Sequence, residues 1–77
     1  MYKKKLTMKE TFILASQNHK KNNLSIAENL YKEVLKTNPN HFETIFSLGS
    51  LLIQTKNFIG AKQLFKKAIQ IQPNYAG

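Results

Sequence analysis

The sequence of 77 residues contains no cysteine, no aspartate and no arginine. Without cysteine the chain can form neither disulfide bonds nor thiolate metal sites. Its two histidines, His19 and His41, lie far apart, lack the spacing of a metal-binding pair and are expected to face solvent. The four acidic residues are all glutamates that fit helix caps or exposed helix positions. Three scattered glycines form no phosphate-binding loop, so we predict a non-catalytic protein without metal or cofactor.

Long apolar runs are also missing. No run approaches the roughly 20 residues that cross a bilayer, and the four apolar residues at 12–15 are too few for a signal-peptide core. We therefore expect a cytoplasmic protein. Hydrophobic residues make up 42% of the chain, which is enough for a core. A chain this short buries only roughly 60% of its unfolded surface, so packing or association has to stabilise it.

The charge is strongly one-sided, with a net value of +8 and lysine at all 12 basic positions. The lysines form three groups, at residues 3–5, at residues 20–21, and at residues 62, 66 and 67. Basic clusters can bind phosphate backbones, but the chain lacks the arginine fork that most often reads bases. We favour a solvated outer face or a compositional bias, and keep an electrostatic binder of nucleic acid or anionic surfaces as the alternative.

The chain contains an internal duplication. Residues 8–40 align with residues 42–74 at an offset of 34 without a gap. Other positions keep their character, such as Tyr31 with Phe65 and Leu35 with Ile69. The identical pairs are Phe12/Phe46, Leu14/Leu48, Ser16/Ser50, Asn23/Asn57, Ala27/Ala61, Leu30/Leu64, Lys32/Lys66, Pro39/Pro73 and Asn40/Asn74.

Each copy predicts two helices. In the first copy, Thr7 and Glu10 have the spacing of a capping box, and the helix runs to about Lys20. A polar turn follows, and Asn23 is expected to cap a helix that ends before Pro39. In the second copy we predict helices over about 41–54 and 58–71, separated by a turn at 55–57. Asn40 is the expected N-cap of the third helix, and Glu43 is expected to close its capping box.

Small residues predict where the helices of each hairpin cross. Gly49 lies inside a predicted helix, where glycine costs about 1 kcal/mol relative to alanine. Such a residue is tolerated where another helix backbone must come close. We therefore predict that Gly49 and Ala61 mark the crossing of the second hairpin, with Ala15 and Ala27 in the same role in the first.

These residues resemble the tetratricopeptide repeat. The resemblance rests on the 34-residue period and on Leu48-Gly49, Ala61-x-x-x-Phe65, Ala68 and Pro73, with Leu14-Ala15, Ala27, Tyr31 and Pro39 in the first copy. The first copy departs from the family pattern at Thr11, Asn18 and Val34. It implies an all-α fold of two stacked antiparallel hairpins, as in a fragment of a right-handed solenoid. The predicted divisions are a basic arm at 1–6, hairpins at 7–40 and 41–74, and at 75–77 the start of a capping helix or third repeat.

The resemblance also implies a function as a protein–protein interaction module whose first helices line an inner groove. Helical spacing puts Phe12, Ser16 and His19 on one stripe, and Phe46, Ser50 and Ile53 on the matching stripe. The alternative is that Phe46 and Ile53 are both core between the repeats, and this alternative is slightly favoured for Phe46. The basic clamp with which some members grip a C-terminal carboxylate is absent, because the matching places hold Phe12, Ser16 and Ser47. The asparagine ladder of sugar-transferase arrays is absent too, because its places hold Ile13 and Ser47.

The fourth predicted helix has an apolar stripe wider than one hairpin partner can cover. We expect Phe65, Ile69 and Ile71 to take part in association at this end, giving a dimer or larger assembly. The chain is also expected to be either such a self-capping protein or the N-terminal part of a longer one.

Overall fold

The computed structural model of the protein describes residues 6–72, which form four α-helices and no strand. These are α1 (Met8–Lys20), α2 (Leu24–Thr37), α3 (Phe42–Gln54) and α4 (Phe58–Ile71). The all-α class and the four predicted helices are confirmed. Most of the predicted basic arm and the segment at 75–77 lie outside the described residues.

The starts of α1 and α3 differ in how well the sequence predicted them. The Glu10 N–H donates to Thr7 Oγ1 at 3.1 Å and the Thr7 N–H donates to Glu10 Oε1 at 2.9 Å, so the predicted capping box is confirmed. The prediction of Asn40 as the N-cap of α3 is wrong. His41 holds that position, and its Nδ1 accepts from the Thr44 N–H at 3.3 Å. Asn40 instead lies in a turn closed by the His41 N–H and the Asn38 carbonyl.

The turns inside the two hairpins have the same backbone structure. Asn22 and Lys56 occupy equivalent positions of the two copies, and both have left-handed backbones, with φ of 66° and 65°. In each turn the next amide bonds back to the preceding helix at 2.8 Å, from Asn23 to the Asn18 carbonyl and from Asn57 to the Leu52 carbonyl. This is the Schellman arrangement that ends many helices. The duplication seen in the sequence therefore extends to individual hydrogen bonds.

The core lies between helices that are neighbours in the chain. Helix α1 packs on α2, α2 on α3, and α3 on α4, which is the order of a stacked array of hairpins. The largest buried side chains of the core cluster are Tyr31, Leu48, Leu51 and Leu52, joined by small residues at the crossings, namely Ala15, Ala27 and Ala61. Within residues 6–72, no helix is long and apolar enough to span a bilayer.

Gly49 marks a close contact between α3 and α4. A Cβ atom built on Gly49 would lie 3.0 Å from Phe65 Cζ, closer than side chains normally come. A close neighbour at Gly49 is thus confirmed, but it is the side-chain ring of Phe65 and not, as predicted, a helix backbone. Ala61 is buried in the core, as its predicted place at the crossing requires.

Candidate functional site

The side chains of α1 and α3 form a shallow depression at the start of the two helices. It has a volume of about 220 Å³. Three aromatic and two polar residues line it: Phe12, Phe42, Phe46, Glu43 and Ser47. Phe12 and Phe46, predicted on matching stripes of the groove, therefore lie on one concave surface. We call the side of the molecule that carries these residues and the rest of the two stripes the α1–α3 surface.

The predicted groove residues are exposed to different degrees. Phe46 and Ile53 keep 41% and 46% of their surface accessible, whereas Phe12, Ser16 and Ser50 are half-buried. Phe42 lies in the depression as well, although it was not predicted as a groove residue. Its spacing of four residues from Phe46 on one helix was the available signal, because it places the two rings on the same face. Their ring centroids are 6.1 Å apart.

Each hairpin contains an equivalent aromatic pair. Phe12 and Tyr31 have ring centroids 6.0 Å apart, and their equivalents in the second hairpin, Phe46 and Phe65, are 5.5 Å apart. The sequence left open whether Phe46 is a groove residue or core. It packs edge-on against Phe65 within its hairpin, and the same side chain still contributes accessible apolar area to the α1–α3 surface.

His19 belongs to a polar cluster that joins three helices. Its Nδ1 lies 3.0 Å from the Tyr31 hydroxyl of α2, and its Nε2 meets Oε1 of Gln54 at the end of α3. The expectation that His19 faces solvent is wrong, because its ring is half-buried and held at both nitrogens. His19, predicted as a groove residue, therefore lies where the two hairpins meet.

The donors and acceptors of this cluster follow from the groups present. The Gln54 Oε1 atom can only accept, so a neutral His19 carries its proton on Nε2 and donates it there. Nδ1 then accepts from the Tyr31 hydroxyl. Burial raises the pKa of Tyr31 above its ordinary value of 10.0, while a hydrogen bond with Ser47 of α3 acts in the opposite direction. Tyr31 is thus bound to side chains of α1 and α3 at once.

His41 is half-buried as well, so the expectation that it faces solvent is wrong. Besides capping α3, its Nδ1 accepts from the Thr44 hydroxyl at 2.6 Å. Its ring meets Phe12 edge-on at 5.5 Å between centroids. Both histidines therefore contribute to the contact between the hairpins. In the sequence this role had no signal, since it depends on the neighbouring hairpin.

Of the three residues predicted for association at the end of α4, only one is exposed. Ile69 is 62% accessible, whereas Phe65 and Ile71 are half-buried. Phe58 and Ile59, not selected from the sequence, are 60% and 77% accessible.

The described lysines are mostly solvated. Lys20, Lys21, Lys62 and Lys66 are exposed, and Lys67 is half-buried. The only ion pair among residues 6–72 joins Lys32 and Glu28 at 3.0 Å, as their spacing of four on α2 favours. Lys3, Lys4 and Lys5 lie outside the part of the chain that the structure describes.

Comparison with known families supports the second hairpin directly. A model of the tetratricopeptide repeat matches residues 42–75, the segment that contains α3 and α4. The first hairpin has the same two helices, the same turn and the same aromatic pair at the equivalent positions. Residues 42–75 therefore match the tetratricopeptide repeat, and the preceding hairpin repeats the same helices, turn and aromatic pair.

Proposed function

We propose that the protein is a non-catalytic interaction module that binds a peptide or helix of a partner protein on its α1–α3 surface. Tetratricopeptide repeats are generally protein–protein interaction modules. The observation that supports this surface is the depression, whose lining residues are Phe12, Phe42, Phe46, Glu43 and Ser47. Ile53 adds accessible apolar area on the same helix.

The size of the depression favours a side chain of a peptide over a free small molecule. Its volume of about 220 Å³ is below the ~300–1,000 Å³ of pockets that enclose small ligands. An apolar side chain that enters it removes ring surface from water, with a gain of roughly 25 cal/mol per Å² of apolar area buried. The hydroxyl of Ser47 and the carboxylate of Glu43 can orient the peptide backbone.

The test is a selection of binders from a random displayed-peptide library on the wild-type protein, followed by affinity measurements on variants. Ile53→Glu places a charge on the α1–α3 surface and leaves the Phe46–Phe65 pair intact. We expect it to weaken selected peptides by at least roughly tenfold, because an apolar contact is replaced by a charge that must be desolvated. The matched control is Ile26→Glu on α2, a residue of similar exposure at 52%.

Peptides that bind Ile53→Glu as well as the wild type would contradict the proposal. Binding that is lost steeply between about 50 and 200 mM salt would do so as well, since it indicates the electrostatic alternative. A cytoplasmic location, expected from the sequence, stays a prediction. Self-association through the α4 end was expected as well, but a net charge of +8 on each copy opposes it.

A further inference from the structure

The solvent side of α4 differs from the equivalent side of α2 in one row of residues. We call this the α4 row, and its members follow one another at helical spacing: Phe58, Lys62, Phe65, Ile69 and Gln72. Their counterparts in the first hairpin are Leu24, Glu28, Tyr31, Leu35 and Asn38. Every counterpart on α2 is buried or half-buried, whereas every member of the α4 row except Phe65 is exposed.

Only in this row are residues of α4 more exposed than their counterparts on α2. On the side that faces the hairpin partner, α2 and α4 are equally buried. The equivalent residues there are all at most 4% exposed, namely Ala27 and Ala61, and Val34 and Ala68. Tyr31 at the centre of the α2 row is 1% exposed and bonds to Ser47 of α3. The helix that covers the α2 row is therefore α3, and the α4 row is the surface on which a helix in the corresponding position would lie.

The charges along the row indicate what kind of helix fits. On α2, Glu28 and Lys32 neutralise each other at 3.0 Å. At the equivalent positions α4 has Lys62 and Lys66, two like charges four residues apart on a helix without any acidic residue. Within residues 6–72 neither lysine has an ion pair. On α2 the carboxylate comes from Glu28 of the same helix. On α4, which has no acidic residue, a helix that covers this row can bring carboxylates to Lys62 and Lys66.

A second copy of the chain is a poor source of such a helix. Each copy has a net charge of +8 and only four glutamates, so two copies repel each other. Of those glutamates, Glu10 takes part in the capping box of α1 and Glu28 is paired with Lys32. The charge on α4 favours a partner of opposite sign.

We propose that the α4 row binds an amphipathic helix of a different, acidic protein, with its apolar stripe on Phe58, Phe65 and Ile69 and its glutamates or aspartates on Lys62 and Lys66. This interface is separate from the α1–α3 surface and goes beyond the function proposed for it. Complementary charge sets the choice of partner, and the apolar stripe supplies the buried area.

Three synthetic peptides of about 18 residues, long enough to match α4, test this by amide NMR titration of the whole chain. One has a helical leucine stripe flanked by glutamates, the second has the same stripe flanked by lysines, and the third keeps the glutamates but has serine in place of leucine. We expect only the first to bind and to shift amide signals of α4. Ile69→Ser should weaken that binding roughly tenfold, because it removes apolar contact area.

Lys62→Glu separates binding from folding. It reproduces on α4 the acid–lysine spacing of Glu28 and Lys32, so the free energy of unfolding should stay the same or rise. Binding of the glutamate-flanked peptide should nevertheless fall by roughly tenfold, because one attractive contact becomes repulsive. The matched control is Lys36→Glu, which makes the same charge change on α2. It should weaken peptide binding only by the small amount that the lower net charge of the protein causes.

Three results would overturn the proposal. Equal binding of the peptide without leucine would mean that charge alone acts. Amide shifts confined to α1 and α3 would mean that the peptide binds the α1–α3 surface. That result would leave the function proposed for that surface intact and overturn binding at the α4 row. Light scattering that shows a dimer disrupted by Ile69→Ser would mean that a second copy covers the α4 row.

Discussion

Among single residues, Tyr31 does most to join the two hairpins. Its ring is 1% exposed, its hydroxyl meets His19 of α1, and Ser47 of α3 bonds to it as well. Phe65 stands at the equivalent place in the second hairpin, has no hydroxyl and is only half-buried. A tyrosine is therefore used where a following helix supplies a polar partner, and a phenylalanine where the described residues supply none.

The raised pKa of Tyr31 predicts a loss of stability at high pH. Burial holds the folded-state pKa above the value of 10.0 that applies to the unfolded chain. The stabilisation from the neutral hydroxyl is therefore complete below that value and is lost as pH rises through the folded-state pKa. We expect the free energy of unfolding from urea titrations to fall above pH ~10.

Tyr31→Phe is the control, because phenylalanine already occupies the equivalent position 65. It should cost about 1 kcal/mol at neutral pH, since the cluster loses a hydrogen bond, and should show a shallower decline at high pH than the wild type. Parallel pH profiles of the two proteins would contradict the assignment to Tyr31, because the lysines titrate in both.

At the level of helices and turns, the two hairpins repeat each other in backbone and differ in caps. Their turns share left-handed residues and Schellman bonds. Asn23 and Asn57 occupy equivalent N-cap positions, yet only Asn57 caps with its side chain, which accepts from the Gly60 N–H at 3.0 Å. Asn23 holds the predicted N-cap position of α2, but its side chain donates to Asn18 Oδ1 and makes no cap bond to the helix.

This difference gives a matched pair of substitutions. Asn57→Ala should lower the free energy of unfolding by about 1 kcal/mol, because one amide at the start of α4 loses its acceptor. Asn23→Ala should cost clearly less, since its side chain makes no cap bond to α2. Thermal melts followed by circular dichroism measure both, and equal losses would contradict the role assigned to Asn57.

The starts of helices also show how far sequence patterns reach. The capping box of α1 was predictable, because Thr7 and Glu10 complete it between themselves. The N-cap of α3 was not, because Asn40 and His41 are both polar residues near a proline. The turn after Asn38 and the contact of the His41 ring with Phe12 favour the histidine, and both depend on neighbouring structure.

For the whole molecule, stability depends on the side chains that folding buries completely. Ile45 of α3 is completely buried, while Ile53, further along the same helix, is 46% exposed. Truncating each isoleucine to alanine compares, within one helix, how much buried and exposed side-chain atoms contribute to the free energy of unfolding. A domain of this length has a total stability of about 4–12 kcal/mol.

Ile45→Ala should therefore remove a large part of the stability, about 2–5 kcal/mol, through lost burial and the cavity left behind. The melting temperature should fall by at least about 8 °C. Ile53→Ala should change the free energy of unfolding by less than about 0.5 kcal/mol, as expected of exposed positions. A similar loss for both variants would contradict the burial of Ile45 between helices.

The candidate surfaces were predictable to different extents. Helical spacing was enough to put Phe12 and Phe46 on matching stripes, and they do line one depression. It did not select Phe42, or Phe58 and Ile59, because an apolar residue in an amphipathic helix is core or surface depending on what packs beside it. The α4 row became recognisable only when its exposure was compared with that of α2.

The sequence by itself determined the four helices, the duplication, the tight turns and the small residues at the crossings. These features rest on contacts within a few residues or on a repeated pattern, which a linear sequence records. Tertiary structure alone decided that both histidines serve the contact between hairpins and that Phe46 is core and surface at once. It also decided that, within residues 6–72, the α4 row is more exposed than its counterpart on α2. The physical reason is that burial and side-chain partners depend on neighbours far apart in the chain.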